Sequence, residues 1–387
     1  MTPTNKLTAQ GLNISWQDCF QEIQCYQDED VNIAIHRLLN DPVFIKVIHQ
    51  LFSTSEQAQL NLESLENIDT VEKLQAWVES YIFPRIAQTY EQLTVSGLAE
   101  LDASETYIFI SNHRDIVMDP LLLNRTLRSN GFTTANCAIG DNLLQHPSAN
   151  DLALLNRCFK VFRSIKSPRA IFKAMKIQSA YIQYLLFAKQ ENVWIAQKEG
   201  RAKDGIDLTN PALIKMLSLA KPKEIELADY LSNLNIVPVS FSYEWDPCAI
   251  DKARELATQK ENSDYTKDKL DDFIATKKGI EGNKGHIHIH FGDVITQQNN
   301  EVFDHKCIAK KIDVSIHSHY KLYPVNYAAF TATNQKALSS NTLPATYSKQ
   351  EINTAKKQLE RQLEGESAEI KSRVYKAYAQ VINHRQD

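Results

Sequence analysis

Residues 109–124 read FISNHRDIVMDPLLLN, so that Asn112 precedes His113, while Asp115 follows it by two positions and Asp119 by six. A histidine that leaves a strand beside a carboxylate is the arrangement of a general base. The carboxylate fixes the imidazole tautomer and stabilises the imidazolium formed when the ring takes a proton. The spacing predicts a buried strand over Tyr107–Ser111, a turn over 112–118 and a helix opening at Asp119. Pro120 fits the first helical turn, where its missing N–H has no partner to lose. A turn histidine beside an aspartate N-cap is the plainer reading of the same residues.

A second group lies in VWIAQKEGRAKDG (193–205), where an apolar strand runs into Glu199, Gly200 and Arg201, with Lys198 and Lys203 around them. Glycine lets that chain turn tightly, and an arginine held there can grip a phosphate bidentately. Arg163 ends another apolar stretch, NRCFKVFRS, and Pro238 interrupts the strand-like NIVPVSF. Proline inside a strand predicts an edge or a bulge.

His286, His288 and His290 alternate along HIHIHF and share one face of a strand. Neighbours on such a face lie ~6.5–7 Å apart and the outer pair about twice that, too far to share one ion. A metal hydrolase built on them would carry stoichiometric zinc; the expectation is a half-exposed strand and no metal. No GxSxG, P-loop or HExxH occurs, and Gly279, Gly282 and Gly285 do not lead from strand into helix.

The elements that must hold these residues alternate. Residues 15–92 carry apolar positions at helical spacing, with Ile33, Leu38, Val43, Val47 and Leu51 as one stripe and Pro42 and Pro84 as breaks. From about residue 93, strands (93–98, 106–111, 132–139, 192–197, 235–245, 286–295) alternate with helices (after Pro120, 168–189, 211–220). The pattern predicts an α/β fold with a mixed, mainly parallel sheet flanked by helices, preceded by an N-terminal helical region. The expected division is residues 1–92, helical; 93–330, the α/β domain with 251–285 as a charged surface excursion; and 331–387, a polar linker and one C-terminal helix. Ser348 and Glu351 have capping-box spacing at that helix's start.

With 387 residues, 43% of them hydrophobic, and a net charge of −4, the chain has a globular composition. No apolar run approaches the length of a membrane span, and the N-terminus lacks the apolar core of a signal peptide. Six cysteines without a CxxC pair fit a reducing cytoplasm. Residues 1–110 hold 16 acidic and 5 basic side chains, whereas residues 156–223 hold 14 basic and 4 acidic. So basic a middle segment suits a surface that meets anions.

The four blocks in order, Asn112-His113…Asp119, Val161-Phe162-Arg163, Glu199-Gly200-Arg201 and 236–239, resemble those of the PlsC-type glycerolipid acyltransferases, which include lysophosphatidate and glycerol-3-phosphate acyltransferases. The resemblance spans roughly residues 90–295 and implies an acyltransferase moving a fatty acyl group from acyl-CoA or acyl carrier protein to a hydroxyl of a glycerolipid such as 1-acylglycerol-3-phosphate. It implies His113 as base with Asp119 as partner and Asp115 in reserve. Asn112, Arg163, Glu199, Gly200, Arg201 and Pro238 become substrate-binding residues, and no cofactor is needed beyond the acyl thioester. The implied partners are the thioester carrier, a lysolipid and an anionic membrane, with no nucleic acid, and the implied place is the cytoplasm, peripheral on the inner face of the membrane. Five residues rather than four separate His113 from Asp119, and the family's proline and threonine around Glu-Gly are missing. These departures leave room for a lyso-amino-lipid acceptor (an ornithine or glycine lipid), or for a non-catalytic lipid- or acyl-carrier-binding homologue.

Overall fold

Seven strands form one sheet in the computed structural model, which describes residues 17–51, 54–261, 269–298, 301–334 and 346–386. They are β1 (Gln92–Ser96), β2 (Ile108–Ser111), β3 (Asn136–Gly140), β4 (Cys158–Val161), β5 (Val193–Ala196), β6 (Ile236–Tyr243) and β7 (His286–Phe291), in the spatial order β1-β7-β6-β2-β5-β3-β4. All neighbours run parallel except β6 and β7, which are antiparallel. The fold is thus a mixed, mainly parallel sheet with helices around it. β2 lies between β5 and β6 and is buried at every position, as an uninterrupted Ile-Phe-Ile run in a sheet covered on both faces should be.

The two faces of β2 enter two cores. Ile108 and Ile110 pack with Ile177, Tyr181 and Ile312, whereas Phe109 joins Leu122, Val237, Phe241 and Phe291. Complete burial of a side chain of this size contributes about 1.5–3 kcal/mol. The parallel strands place their C-terminal ends together, where a doubly covered sheet offers a site.

The N-terminal region is helical, but its buried stripe is not the one the spacing suggested. Val31, Ala34, Ile35 and Leu38 are buried on Asp28–Leu39, while Ile33 is 61% and Val43 45% exposed. Phe44 and Ile48 take the inward positions on Pro42–Leu51. The stripe begins two residues earlier than Ile33 and includes a small alanine that apolar counting underweights. Residues 1–16, where a signal peptide would sit, lie outside the described residues.

Two C-terminal expectations also change. The described parts of 251–285 are not the charged surface excursion expected. Ala249–Glu261 and Lys269–Glu281 are helices, and Lys252, Ala253, Ala257 and Ala275 are buried. The expected linker begins inside the helix Pro324–Asn334, with 335–345 outside the described residues, and the terminal helix is two, Lys349–Gln362 and Ala368–Gln386. The Ser348–Glu351 capping box is present.

Pro238 lies in an interior strand, opposite Ile110 on β2. It is tolerated because its carbonyl accepts from the Gly292 N–H just beyond the end of β7, and the β6–β7 ladder begins only at Val239. The missing N–H therefore costs only the reciprocal half of this outermost pair, at the end of the ladder.

β1 leaves the sheet at Gly97, whose φ is +78° and where a Cβ would run into the Phe291 carbonyl oxygen. Gly97→Ala should therefore lower unfolding stability by more than ~1 kcal/mol, because alanine meets both an unfavourable φ and a backbone clash. A urea unfolding midpoint unchanged from wild type would refute this account of the turn.

Candidate functional site

β2 ends at Ser111, and the next two residues do different work. The Asn112 side chain is fully buried and pairs with the backbone of β6: its amide nitrogen donates to the Phe241 carbonyl (2.9 Å) and its oxygen accepts from the Phe241 N–H (2.7 Å). This amide extends the β2–β6 pairing past the end of the strand. With its side chain fully buried and engaged with β6 in both directions, Asn112 positions the strand end beside His113.

His113 then stands at the sheet's C-terminal edge. Its Nδ1 lies 2.8 Å from Asp119 Oδ2. The helix that carries Asp119 runs Met118–Ser129, so the carboxylate sits in its first turn. Oδ2 also accepts the N–H groups of Arg114 (2.7 Å) and Asp115 (3.0 Å), and Oδ1 accepts the Tyr243 hydroxyl (2.7 Å). Asp119 is completely buried, and four donors satisfy it. A carboxylate can only accept, so Nδ1 carries the imidazole proton and Nε2 holds the lone pair. Nε2 has no hydrogen-bond partner, the His113 side chain keeps 14% of its surface exposed, and Trp194 packs edge-on to the ring at 5.7 Å. The Trp194 indole N–H is itself fixed on Ser111 Oγ (2.9 Å).

Asp115 does not touch the ring. Its Oδ1 accepts the N–H groups of Val117 and Met118 at 3.0 and 2.9 Å, so it caps the turn that leads into the helix. Burial, and then the nearby Asp119 charge, push its carboxyl above the usual carboxylate range. The same two causes raise the Tyr243 hydroxyl well above its ordinary value, which keeps it a donor to Asp119.

Behind this turn lies a layer of buried charge that the sequence spacing did not mark. Arg114 pairs with Asp207, and Lys252, 3% exposed, donates to the Arg114 carbonyl (2.7 Å) and to Asp246 (2.5 Å). Burial opposes the Arg114 charge, but Asp207, Tyr320, Asp246 and Asp119 together outweigh it and hold the guanidinium above its ordinary value. The partners of 114 come from 93 and 138 residues away, so no local motif reveals them. Tyr243 was legible in principle: strand alternation puts it on the face of Val239 and Phe241.

The Glu-Gly-Arg loop is tied to His113 by the Ala202 N–H donating to the His113 carbonyl (2.8 Å). Gly200 has a φ of +75° with open space around it, so glycine is there for the turn and not for a close approach. Glu199 is exposed and lies 3.6 Å from Arg163 Nε, while the Arg163 N–H donates to Asp141 (3.0 Å). Arg201 Nη1 is buried without a hydrogen-bond partner, and its charge acts on Cys248 in the layer below. The two arginines thus have different neighbours, and no hydrogen bond or ion pair joins them. Pro238 is buried within β6, opposite Ile110 and three residues short of the level of His113, so its position is that of sheet scaffold and not of a substrate contact.

The histidine strand has partners of its own. His286 Nδ1 bonds Glu244 (2.7 Å), His288 bonds Thr94 and Ser96, and His290 bonds Ser96. Among the described residues, no His, Cys, Asp and Glu are grouped so as to hold a metal ion.

Comparison with known proteins adds to this geometry. No curated protein sequence matches the chain. The solved structures include a match to the 1-acyl-sn-glycerophosphate (LPA) acyltransferase PlsC from Thermotoga maritima, at 12% identity and a TM-score of 0.33, covering 74% of this chain and 91% of that one. The family model named Acyltransferase matches residues 92–241, from the start of β1 into β6, a span that holds His113, Asp119, Arg163 and the Glu-Gly-Arg loop. Residues 92–241 of the chain are thus similar to the Acyltransferase family.

Proposed function

We propose that the protein transfers a fatty acyl group from an acyl thioester, on CoA or acyl carrier protein, to the hydroxyl of a lysoglycerolipid such as 1-acylglycerol-3-phosphate. The observation that carries this reading is the His113 Nδ1–Asp119 contact at 2.8 Å, which leaves Nε2 unpartnered at the sheet edge. Nε2 takes the proton of the acceptor hydroxyl as its oxygen attacks the thioester carbonyl. The tetrahedral oxyanion collapses, the C–S bond breaks, and the imidazolium returns the proton to the leaving thiolate. Asp119, held by Tyr243 and two backbone N–H groups, stabilises the imidazolium through this cycle. Arg163 and Arg201 receive the anionic head of the acceptor. Arg201 supports that role because a buried guanidinium N–H without a partner is costly unless a ligand completes it.

Such an acceptor arrives from a bilayer, and among the described residues no helix is long and apolar enough to cross one. Attachment is assigned to the start of the helix Pro168–Tyr184. There Ile171 and Phe172 are 39% and 56% exposed between Lys166, Arg169 and Lys173. No acidic residue occurs between Asp151 and Glu191. Exposed apolar side chains ringed by cations suit the inner face of an anionic membrane.

Loss of the base should be severe. His113→Ala is expected to cut acyl transfer by about 10²–10⁴-fold with the circular dichroism spectrum intact, and retention of more than a hundredth of the wild-type rate would remove His113 from the base role.

The two aspartates should separate cleanly. Asp119→Asn keeps an oxygen for the backbone donors but no charge for the imidazolium, so its activity should fall almost as far as that of His113→Ala. Asp115→Asn keeps the cap on Val117 and Met118 and should retain most activity. It should also be more stable than wild type at pH 7. The raised folded-state value of Asp115 means that wild type folds with a penalty when this group is ionised, and that penalty disappears as pH falls below the unfolded value of ~3.9. Urea unfolding should therefore show the advantage of Asp115→Asn shrinking between pH 7 and pH 4; an advantage that grows instead would contradict the assigned shift.

Arg201→Lys keeps the charge but loses the planar fork, so acceptor KM should rise more than donor KM. Equal changes in both would mean that Arg201 does not read the acceptor.

Vesicle co-sedimentation tests the attachment surface. Binding to anionic vesicles should weaken as salt rises, since exposed charges are screened beyond ~8 Å at physiological ionic strength. Phe172→Ser should weaken it at every salt concentration. Unchanged binding by Phe172→Ser would place the membrane contact elsewhere.

A further inference from the structure

The largest concentration of unclaimed basic groups is remote in sequence from the four blocks. A cleft of about 590 Å³ opens beside β1 and β7, and its walls include His288, His290, His319, Lys321 and Arg385. Ser96 and Ser318 add hydroxyls, and Tyr327, Tyr347, Leu322 and Ile382 form an apolar side. Among the described residues no aspartate or glutamate lines it.

Three details show that these groups are set for an anion. His290 and His319 stack face to face with centroids 3.8 Å apart and planes 10° apart. Ser96 Oγ bridges His288 Nε2 (3.0 Å) and His290 Nδ1 (2.8 Å), and His319 Nδ1 is turned to the Ser315 carbonyl (2.9 Å), so the Nε2 atoms of His290 and His319 remain without partners. Among the described residues Lys321 and Arg385 are in no ion pair; Lys321 lies over the Tyr323 ring, and one Arg385 N–H donates to the Tyr320 carbonyl. Burial and then His319 push the His290 imidazole down to about 4, and burial followed by Lys321 lowers His288. The nearby carboxylate that counters this is the exposed Asp293 beyond the strand. Uncompensated cations in a partly enclosed cleft raise the local concentration of anions.

We propose that this cleft binds a phosphate monoester whose organic part is aromatic or aliphatic. Lys321 and Arg385 grip the phosphate oxygens, with the Nε2 edges of His290 and His319 beside them. The ester group packs against Tyr327, Tyr347, Leu322 and Ile382. The site is separate from the reading of His113 and stands without it. Tyr320 lines the cleft and also carries the Arg114 guanidinium 5.2 Å above its ring, so an occupant would lie one side chain from the turn that holds His113.

Titration calorimetry on the full chain tests this with inorganic phosphate, phenyl phosphate and hexyl phosphate as separate ligands. Both esters should bind more tightly than inorganic phosphate, and the stronger of the two identifies the organic part. The Lys321→Gln/Arg385→Gln double variant should weaken ester binding by about tenfold or more, through loss of two charge-assisted donors. His319→Gln, a change at an exposed position, should weaken it less while leaving the fold intact. His113→Ala should bind as wild type does. The proposal is overturned if none of the three ligands binds, if the double variant binds as well as wild type, or if His113→Ala abolishes binding. Stoichiometric zinc uptake lost in His319→Gln would also overturn it, in favour of a metal cluster.

Discussion

The Asp119 carboxylate, fully buried and held by four donors, is the constraint around which the sheet edge is arranged. Burying a carboxylate has an effective penalty of several kcal/mol, and only well-formed hydrogen bonds offset it, each to a charged group contributing about 1.5–3 kcal/mol. The donors come from three places: the histidine after β2, two consecutive backbone N–H groups of the turn, and the last residue of β6. Satisfying Asp119 therefore requires β2 and β6 to be neighbours in register, which the Asn112–Phe241 pairing enforces two strand positions before Tyr243. Imidazole orientation is a by-product of that requirement.

The second layer of charge has the same logic one shell further out. Arg114, Asp207, Lys252 and Asp246 lie behind the turn and come from segments far apart in the chain. A pair of this kind adds little net stability over apolar packing, but removal of one member leaves an uncompensated charge. Its effect is to fix geometry. Lys252 holds the Arg114 carbonyl, Ala202 holds the His113 carbonyl, and Gly279 leaves room for the Asp115 carboxylate. The helices Ala249–Glu261 and Lys269–Glu281 thus bear directly on the turn, although they lie beyond the matched family segment.

What the sequence discloses follows the range of the interactions. The Ile108–Ser111 strand and the His113–Asp119 pair were legible because an apolar run, a turn and a proline-marked helix start all lie within a dozen residues. The buried role of Lys252 was not, because a lysine in a charge-rich segment reads as solvated until its partners, Asp246 and the carbonyl of residue 114, are known. The pairing of Asn112 was hidden for a related reason: only the neighbouring strand reveals that its amide donates to and accepts from the Phe241 backbone. Strand alternation did identify the histidine face of β7, whose His positions are half-buried and whose Ile and Phe positions are buried. It could not show that His319, from a helix, would stack against that face.

The additional residue between His113 and Asp119 explains itself once the turn is traced. With five intervening residues, the N–H groups of Arg114 and Asp115 both point at Asp119 Oδ2, forming a small concave nest for the carboxylate. The longer turn must then be closed before the helix can begin at Met118. Asp115 does this by accepting from Val117 and Met118 with one oxygen, so a single residue supplies a donor to Asp119 and a cap for the helix that carries it. Two carboxylates so close would repel if both looked to the same histidine. The turn separates their tasks by giving Asp119 the imidazole and Asp115 the backbone, and the Asp115 carboxyl stands above the usual range first because it is buried and then because Asp119 is near. This turn is thus the local means by which the chain holds its histidine against a buried charge.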